Sequence, residues 1–151
     1  MKHEELVLAC CSDLSGQVRG KAFSASEFDK RLQRGVGWTP TNVQITCFDN
    51  IAESPFGSLG DLVLIPDPAT RVRVELGEGE PEEQFVIGNI RHTNGQPWEF
   101  CTRSILQAAL ERLEKTAGLT LFGAFEHEFQ FKNETADGSR AFSIDGFRAE
   151  R

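Results

Sequence analysis

Tyrosine is missing from this sequence, and methionine occurs once in 151 residues. Aromatic bulk comes instead from 12 phenylalanines and two tryptophans. Phenylalanine fills a core without a hydroxyl that needs a partner. Bases are scarce: 16 Lys and Arg against 23 Asp and Glu leave a net charge of −7. That balance argues against nucleic-acid binding, which needs a basic surface to meet phosphates. No apolar run approaches the roughly 20 residues of a membrane-crossing helix, so no membrane partner is expected. The opening Met1-Lys2-His3-Glu4-Glu5 sets two acids before a short apolar run and does not read as a secretory signal. The four cysteines, Cys10, Cys11, Cys47 and Cys101, form no C-x-x-C pair and lack the spacing of a structural zinc site. They read as reduced thiols in a cytoplasmic protein.

Two catalytic signatures are also absent. No G-x-x-x-x-G-K-[ST] loop cradles phosphates, so Arg19-Gly20-Lys21 reads as a solvated strand edge, with weak anion binding as the alternative. Ser12, Ser15 and Ser24 have no G-x-S-x-G context, and no local argument makes Cys10 or Cys47 a nucleophile. What is present, 39% hydrophobic and 26% charged residues, is the composition of a globular protein. The length suits one medium domain, or one domain and a piece of another.

Local patterns give the organisation. Leu6 to Cys11 is an apolar run, a strand buried on both faces. Ser15-Gly16-Gln17 is a turn and Arg19 to Phe23 the returning strand. Ser24 to Glu27 fits a capping box ahead of a short helix that ends at Gly35 and Gly37. Val43 to Phe48 alternates as a strand does, and Asn50 to Gly60 is a loop. Leu62 to Ile65 is a strand stopped by Pro66-Asp67-Pro68, and Val72 to Leu76 and Phe85 to Ile90 are further strands. The acids from Glu75 to Glu83 read as a solvated loop. Thr93-Asn94-Gly95 is a turn. Thr102 to Ala117 is a helix with Ile105, Leu106, Ala109, Leu110 and Leu113 on one face, an Glu111–Lys115 pair and Gly118 as its stop. Leu119 to Phe131 is a long strand, turning at Asp137-Gly138 toward Ala141 to Phe147. The class is α+β, with strands and one short helix to about Cys101, then one helix and one hairpin.

The chemistry concentrates in Ala124-Phe125-Glu126-His127-Glu128-Phe129. Alternate residues of a strand share a face, which puts Glu126 and Glu128 side by side with Cα atoms roughly 7 Å apart. Such a pair repels unless water screens it or a cation lies between. It is either a solvated polar face or half of a site for a hard divalent cation. His127 points the other way, as a core or interface histidine rather than a ligand.

Four segments in order resemble the N-terminal part of glutamine synthetase and its relatives, the ATP-dependent carboxylate–amine ligases. Asp13 to Lys21 looks like the family's opening hairpin. Asp61 to Thr70 looks like its D-x-x-x-x-P-D-x-x-T segment. Gly95-Gln96-Pro97 followed by Arg103 to Leu106 looks like the entry to its catalytic domain. Ala124 to Phe129 is similar to its G-x-E-x-E-F strand.

The resemblance implies a β-grasp-like domain over residues 1–101 and the beginning of a catalytic domain over 102–151. It implies Glu126 and Glu128 as ligands of Mg²⁺ or Mn²⁺, on which ATP and glutamate react through a γ-glutamyl phosphate that ammonia or another amine displaces. It also implies a homo-oligomeric ring in which this domain closes the neighbouring subunit's active site. Asp49 is the nearest candidate for the amine or ammonium site there. Departures are visible. Ala124 stands where the family has glycine, and Cys101-Thr102-Arg103 stands where it has proline before arginine. Asn50-Ile51-Ala52-Glu53-Ser54 replaces D-G-S-S, which leaves room for a larger amine such as a polyamine or ethanolamine. The family's other metal ligands, its ATP-binding residues and its glutamate-binding arginines fall beyond Arg151. The chain is therefore expected to be an N-terminal fragment, inactive alone. The competing expectations are a stand-alone β-grasp binding or assembly module, and an α+β domain with a surface glutamate pair and no chemistry.

Overall fold

A computed structural model describes residues 4–48, 50–54, 56–57, 60–75, 77 and 82–126 of the chain. It falls into two units, Met1–Thr120 and Leu121–Arg151. Among the described residues, the first holds the helices and strands β1 (Leu6–Ser12), β2 (Val18–Ser24), α1 (Phe28–Arg34), β3 (Val36–Trp38), β4 (Leu62–Pro66), β5 (Val72–Val74), β6 (Glu83–His92) and α2 (Thr102–Ala117). Six strands form one sheet in the order β2-β1-β6-β4-β3, with β5 also paired to β6. The mixed sheet and few helices are the α+β class expected.

The β1–β2 hairpin runs in register from Leu6 opposite Ser24 to Ser12 opposite Val18. Its turn is held by one carboxylate. Asp13 Oδ1 accepts from the Ser15 and Gln17 backbone N–H groups at 3.0 and 2.8 Å and from the Ser15 hydroxyl at 2.7 Å. Its Oδ2 accepts from Arg19 Nε at 2.8 Å. Burial alone would raise the pKa of Asp13, but these hydrogen bonds outweigh it and hold the carboxyl below its ordinary value.

β1 and β6 run parallel, with Leu8 opposite Phe85. On the other side of β6, β4 and then β5 lie antiparallel, separated by a short 3-10 turn at Pro68–Thr70. Between β4 and β5 the backbone leaves the ladder, and Thr70 and Asp67 take up the backbone groups of Ile87. Thr70 Oγ1 accepts from the Ile87 N–H at 2.9 Å, while Asp67 N–H donates to the Ile87 carbonyl at 2.9 Å. Asp67 also caps the turn, accepting from Ala69 N–H at 3.1 Å. In the P-D-x-x-T pattern the threonine hydroxyl thus stands in for a backbone acceptor opposite Ile87.

The core lies on one face: Val7, Ala9 and Cys11 of β1, Leu62 and Leu64 of β4, Val86 and Ile90 of β6, closed by Phe23, Val43, Trp98 and Cys101. Helix α1 ends at Gly35, whose φ of +69° suits glycine; a Cβ there would lie 2.3 Å from Val63 Cγ1.

Several expectations are corrected. Val43 to Phe48 is not a strand: Pro40–Val43 is a 3-10 turn, and only Ile45 makes an isolated bridge, to Ile51. The alternation was real, but this stretch has no neighbouring strand to pair with. The short strand β3 stands instead at Val36–Trp38, antiparallel to β4. The capping box is half formed: Ser24 accepts from Ser26 N–H, but Glu27 turns to Lys30 and Arg31. Helix α2 has the expected bounds, and Gly118 caps it in the left-handed conformation. No residue of α2 is buried, however, and Ile105 and Leu106 are each 55% exposed.

The hydrogen-bonded contacts between α2 and β6 are made by polar side chains. Asn89 of β6 donates to Ser104 Oγ at 2.9 Å and to Gln107 Oε1 at 2.6 Å, and accepts from Arg103. Arg103 also pairs with Asp67 at 2.7 Å. The expected strand from Leu119 is not formed over its described part. Leu119 to Glu126 is irregular and exposed, with Phe122 and Phe125 open to solvent. The rest of that hairpin, 127–147, lies outside the described residues.

Candidate functional site

Two regions carry the residues singled out by the sequence. The first is the loop that contains position 49. It leaves the sheet through the Pro40–Val43 turn, where Val43 is fully buried and its carbonyl accepts from Leu14 N–H at 3.1 Å. Gln44 follows, also buried, and donates from Nε2 to the Gly57 carbonyl at 2.7 Å. The Ala52 N–H returns to Gln44 O at 2.9 Å, Ile45 bridges Ile51, and Thr46 N–H reaches Asn50 O at 2.8 Å. These contacts make a tight excursion with Phe48 exposed at its tip. Phe56 anchors its far end, 5.1 Å from Trp98 and 4.5 Å from Phe100 between ring centroids. On the excursion lies an open groove of about 430 Å³ lined by Gln44, Ile51, Ala52, Glu53, Ser54 and Gly57. Asp49 lies outside the described residues.

The second region is the end of the described chain. Glu126 is exposed and in irregular backbone. His127 and Glu128 lie outside the described residues, so the spacing of the carboxylate pair is not on view. Among the described residues no three His, Cys, Asp or Glu side chains come together to hold a metal. A divalent cation takes about six oxygen ligands, which the described residues do not assemble. They do not by themselves fit a metal centre.

The other residues considered have structural work. Arg19 serves the Asp13 turn, and Lys21 donates to the Gly37 carbonyl at 2.7 Å. Ser15 is bound to Asp13 and Ser24 caps the turn before α1. Cys10, Cys11 and Cys101 are buried free thiols and Cys47 is an exposed one. Burial first, then the neighbouring Cys101, Cys10 and Asp13, pushes Cys11 up to about 12, and burial raises Cys10 too. Such thiols stay protonated and unreactive.

One polar constellation escaped the sequence reading. Asp67, Asn89, Arg103 and Gln107 converge on a groove of about 310 Å³ that Arg91 also lines. The Arg103 hydrogen bond, then the Ala69 N–H, hold the Asp67 carboxyl below its ordinary value. The signal was the placement of Asp67 at a strand end and Arg103 in a helix's first turn, but their 36-residue separation hides the pairing.

Comparison with known proteins agrees with the fold and with the family resemblance. The family model of the glutamine synthetase N-terminal domain matches residues 1–98. A glutamate–isopropylamine ligase from a Pseudomonas species is 32% identical over 146 residues, covering 91% of this chain and 30% of the ligase. Type-1 glutamine synthetase 1 of Dictyostelium discoideum is 26% identical over 135 residues, covering 83% of this chain and 27% of the synthetase. The crystal structure of a novel glutamine synthase homolog superposes with a TM-score of 0.71 at 40% identity, over 77% of this chain and 28% of that one. The mixed sheet with few helices is that of a β-grasp-like glutamine synthetase N-terminal domain. The chain spans less than a third of the length of the relatives it matches. It belongs to the glutamine synthetase family of ligases.

Proposed function

We propose that this chain works as the N-terminal portion of an ATP-dependent ligase that joins the side-chain carboxylate of glutamate to ammonia or another amine. The observation that carries this reading is the 32% identity to a glutamate–isopropylamine ligase over 91% of the chain. In this reading residues 1–101 are the β-grasp-like domain and 102–151 open the catalytic domain. Glu126 and Glu128 contribute carboxylates to a Mg²⁺ or Mn²⁺ site whose remaining ligands come from further residues of the enzyme. Bound there, the metal supplies charge neutralisation for the ATP phosphates. Asp49 faces the amine site of a neighbouring subunit in a homo-oligomeric ring, and the enzyme works in the cytoplasm. The 151 residues alone, with fewer than a third of the relatives' positions, do not turn over.

The test is ADP release with Mg²⁺ or Mn²⁺, ATP, glutamate and a panel of amines beginning with ammonium. The chain alone is expected to be silent. A polypeptide extending past Arg151 is expected to show glutamate-dependent release, lost in the Glu126→Gln plus Glu128→Gln variant. Turnover unchanged in that variant would remove the metal assignment, and glutamate-dependent turnover by the 151-residue chain would remove the claim that it is incomplete.

A further inference from the structure

The groove of about 310 Å³ where β4, β6 and the start of α2 meet has its acceptors used and its donors open. Arginine can only donate hydrogen bonds, so Arg103 fixes how the amides beside it are turned. It donates to Asn89 Oδ1, which leaves Asn89 Nδ2 to donate to Ser104 Oγ and Gln107 Oε1. The open end of Gln107 is then Nε2, a donor. Asp67 accepts from Arg103 on Oδ2 and from Ala69 N–H on Oδ1. Arg91 gives one N–H to the Gly95 carbonyl at 3.0 Å and keeps its others. Asp67 is engaged by Arg103 and Glu99 by His92, and among the described residues no carboxylate pairs with Arg91.

Among the lining side chains, two guanidiniums face one carboxylate, which leaves one positive charge unmatched. A guanidinium meets a carboxylate through two parallel hydrogen bonds. The rest of the wall, Ile65, Pro66 and Pro68, is apolar. Surplus donors, a single unmatched positive charge and an aliphatic wall are complementary to a small acid that carries one negative charge and a hydrocarbon body. We propose that this groove binds a small organic monocarboxylate, its carboxylate at Arg91 and Gln107 Nε2 and its chain over Ile65, Pro66 and Pro68. Arg91 belongs to β6 and Gln107 to α2, so the occupant adds a second link to the polar clasp between them. The binding itself stands apart from the ligase reading; on that reading, the occupant braces the junction between the β-grasp-like domain and the first helix of the catalytic domain. Each methylene fully covered is worth about fourfold in affinity. Two methylenes half covered make butyrate bind about fourfold more tightly than acetate.

The test is an amide NMR titration of the 151-residue chain at neutral pH and constant ionic strength. The ligands are sodium butyrate, sodium acetate, the neutral isostere butyramide, and inorganic phosphate. Butyrate is expected to give saturable shifts confined to Ile65, Asp67, Asn89, Arg91, Arg103 and Gln107, and to slow amide exchange in α2. Butyramide, which lacks the charge, is expected to bind about tenfold more weakly. Arg91→Gln is expected to weaken butyrate by about the same factor and to leave butyramide unchanged. Butyramide or acetate binding as well as butyrate, phosphate binding more tightly than butyrate, or shifts spread over other surfaces would each overturn the proposal. So would the absence of saturable shifts, or butyrate binding unchanged in Arg91→Gln. If that variant does not fold, the order of the four ligands on the unmodified chain still decides. Turnover is not part of this titration, so a carboxylate site without ligase activity, and ligase activity with an empty groove, are separate outcomes.

Discussion

The sheet and helix α2 are attached to the same unit by opposite physics. The sheet buries Val7, Ala9, Leu64, Val86 and Ile90 completely or nearly so, and apolar burial is the main source of fold stability. Helix α2 buries none of its residues. It meets β6 through Asn89, Ser104, Gln107 and Arg103 and turns Ile105 and Leu106 to solvent. Partly exposed polar contacts contribute about 1 kcal/mol each or less. The sheet should therefore behave as the cooperative core, with α2 held to it by a separable polar clasp. An amphipathic pattern identifies a helix; it does not say which neighbour its apolar side meets.

This contrast can be broken or sharpened by substitution. Leu64→Ala opens a cavity under a fully buried side chain and is expected to destabilise the whole unit by about 4 kcal/mol, measured by urea unfolding. Asp13→Ala removes the acceptor of four hydrogen bonds in the β1–β2 turn. The expected loss is about 3 kcal/mol, and a loss below about 1 kcal/mol would show that the turn does not depend on this carboxylate. Asn89→Ala is expected to cost about 1–2 kcal/mol. Its signature is faster amide exchange in α2 with β1, β4 and β6 unaffected; uniform loss of protection would merge the two regions into one. Ile105→Lys is expected to shift stability by no more than about 0.5 kcal/mol, because that side chain already faces solvent.

Acid should distinguish the regions as well. Asp13 and Asp67 both have folded-state pKa values below the ordinary carboxylate value. The unfolded chain therefore takes up protons first as pH falls. The stabilisation is fully present above the unfolded value of about 3.9 and disappears as pH drops through the folded values. Urea midpoints are expected to hold from pH 7 to about 5 and then fall. Asp67→Asn should shallow that fall, and an unchanged acid limb would show that the Arg103 pair contributes nothing to it.

Much of the fold could be read from the sequence where the signal is local. The β1–β2 hairpin, the stop of β4 at proline, β6 and both ends of α2 follow from apolar runs, turn residues and caps within a few positions. What could not be read depends on partners far along the chain. Val43 to Phe48 alternates like a strand, but whether it pairs depends on a neighbour it does not have. The Asp67–Arg103 contact and the inward side of α2 are tertiary choices between residues dozens of positions apart. The groove at Ile51, Ala52 and Glu53 was legible only as a departure from a family pattern; its shape comes from the Gln44–Gly57 and Phe56–Trp98 contacts. Thr70 is an intermediate case: its place after P-D-x was visible, but its role in bonding Ile87 emerges only once β4 and β6 are paired.

The central claim, that these residues open an enzyme activating the glutamate side-chain carboxylate, is tested most directly by trapping the activated carboxyl. A polypeptide extending past Arg151 would be incubated with ATP, glutamate, Mg²⁺ and hydroxylamine as the amine. The account predicts γ-glutamyl hydroxamate in amounts matching the ADP released, and none when ATP is omitted. ADP release without hydroxamate, or hydroxamate on the α-carboxyl, would contradict it.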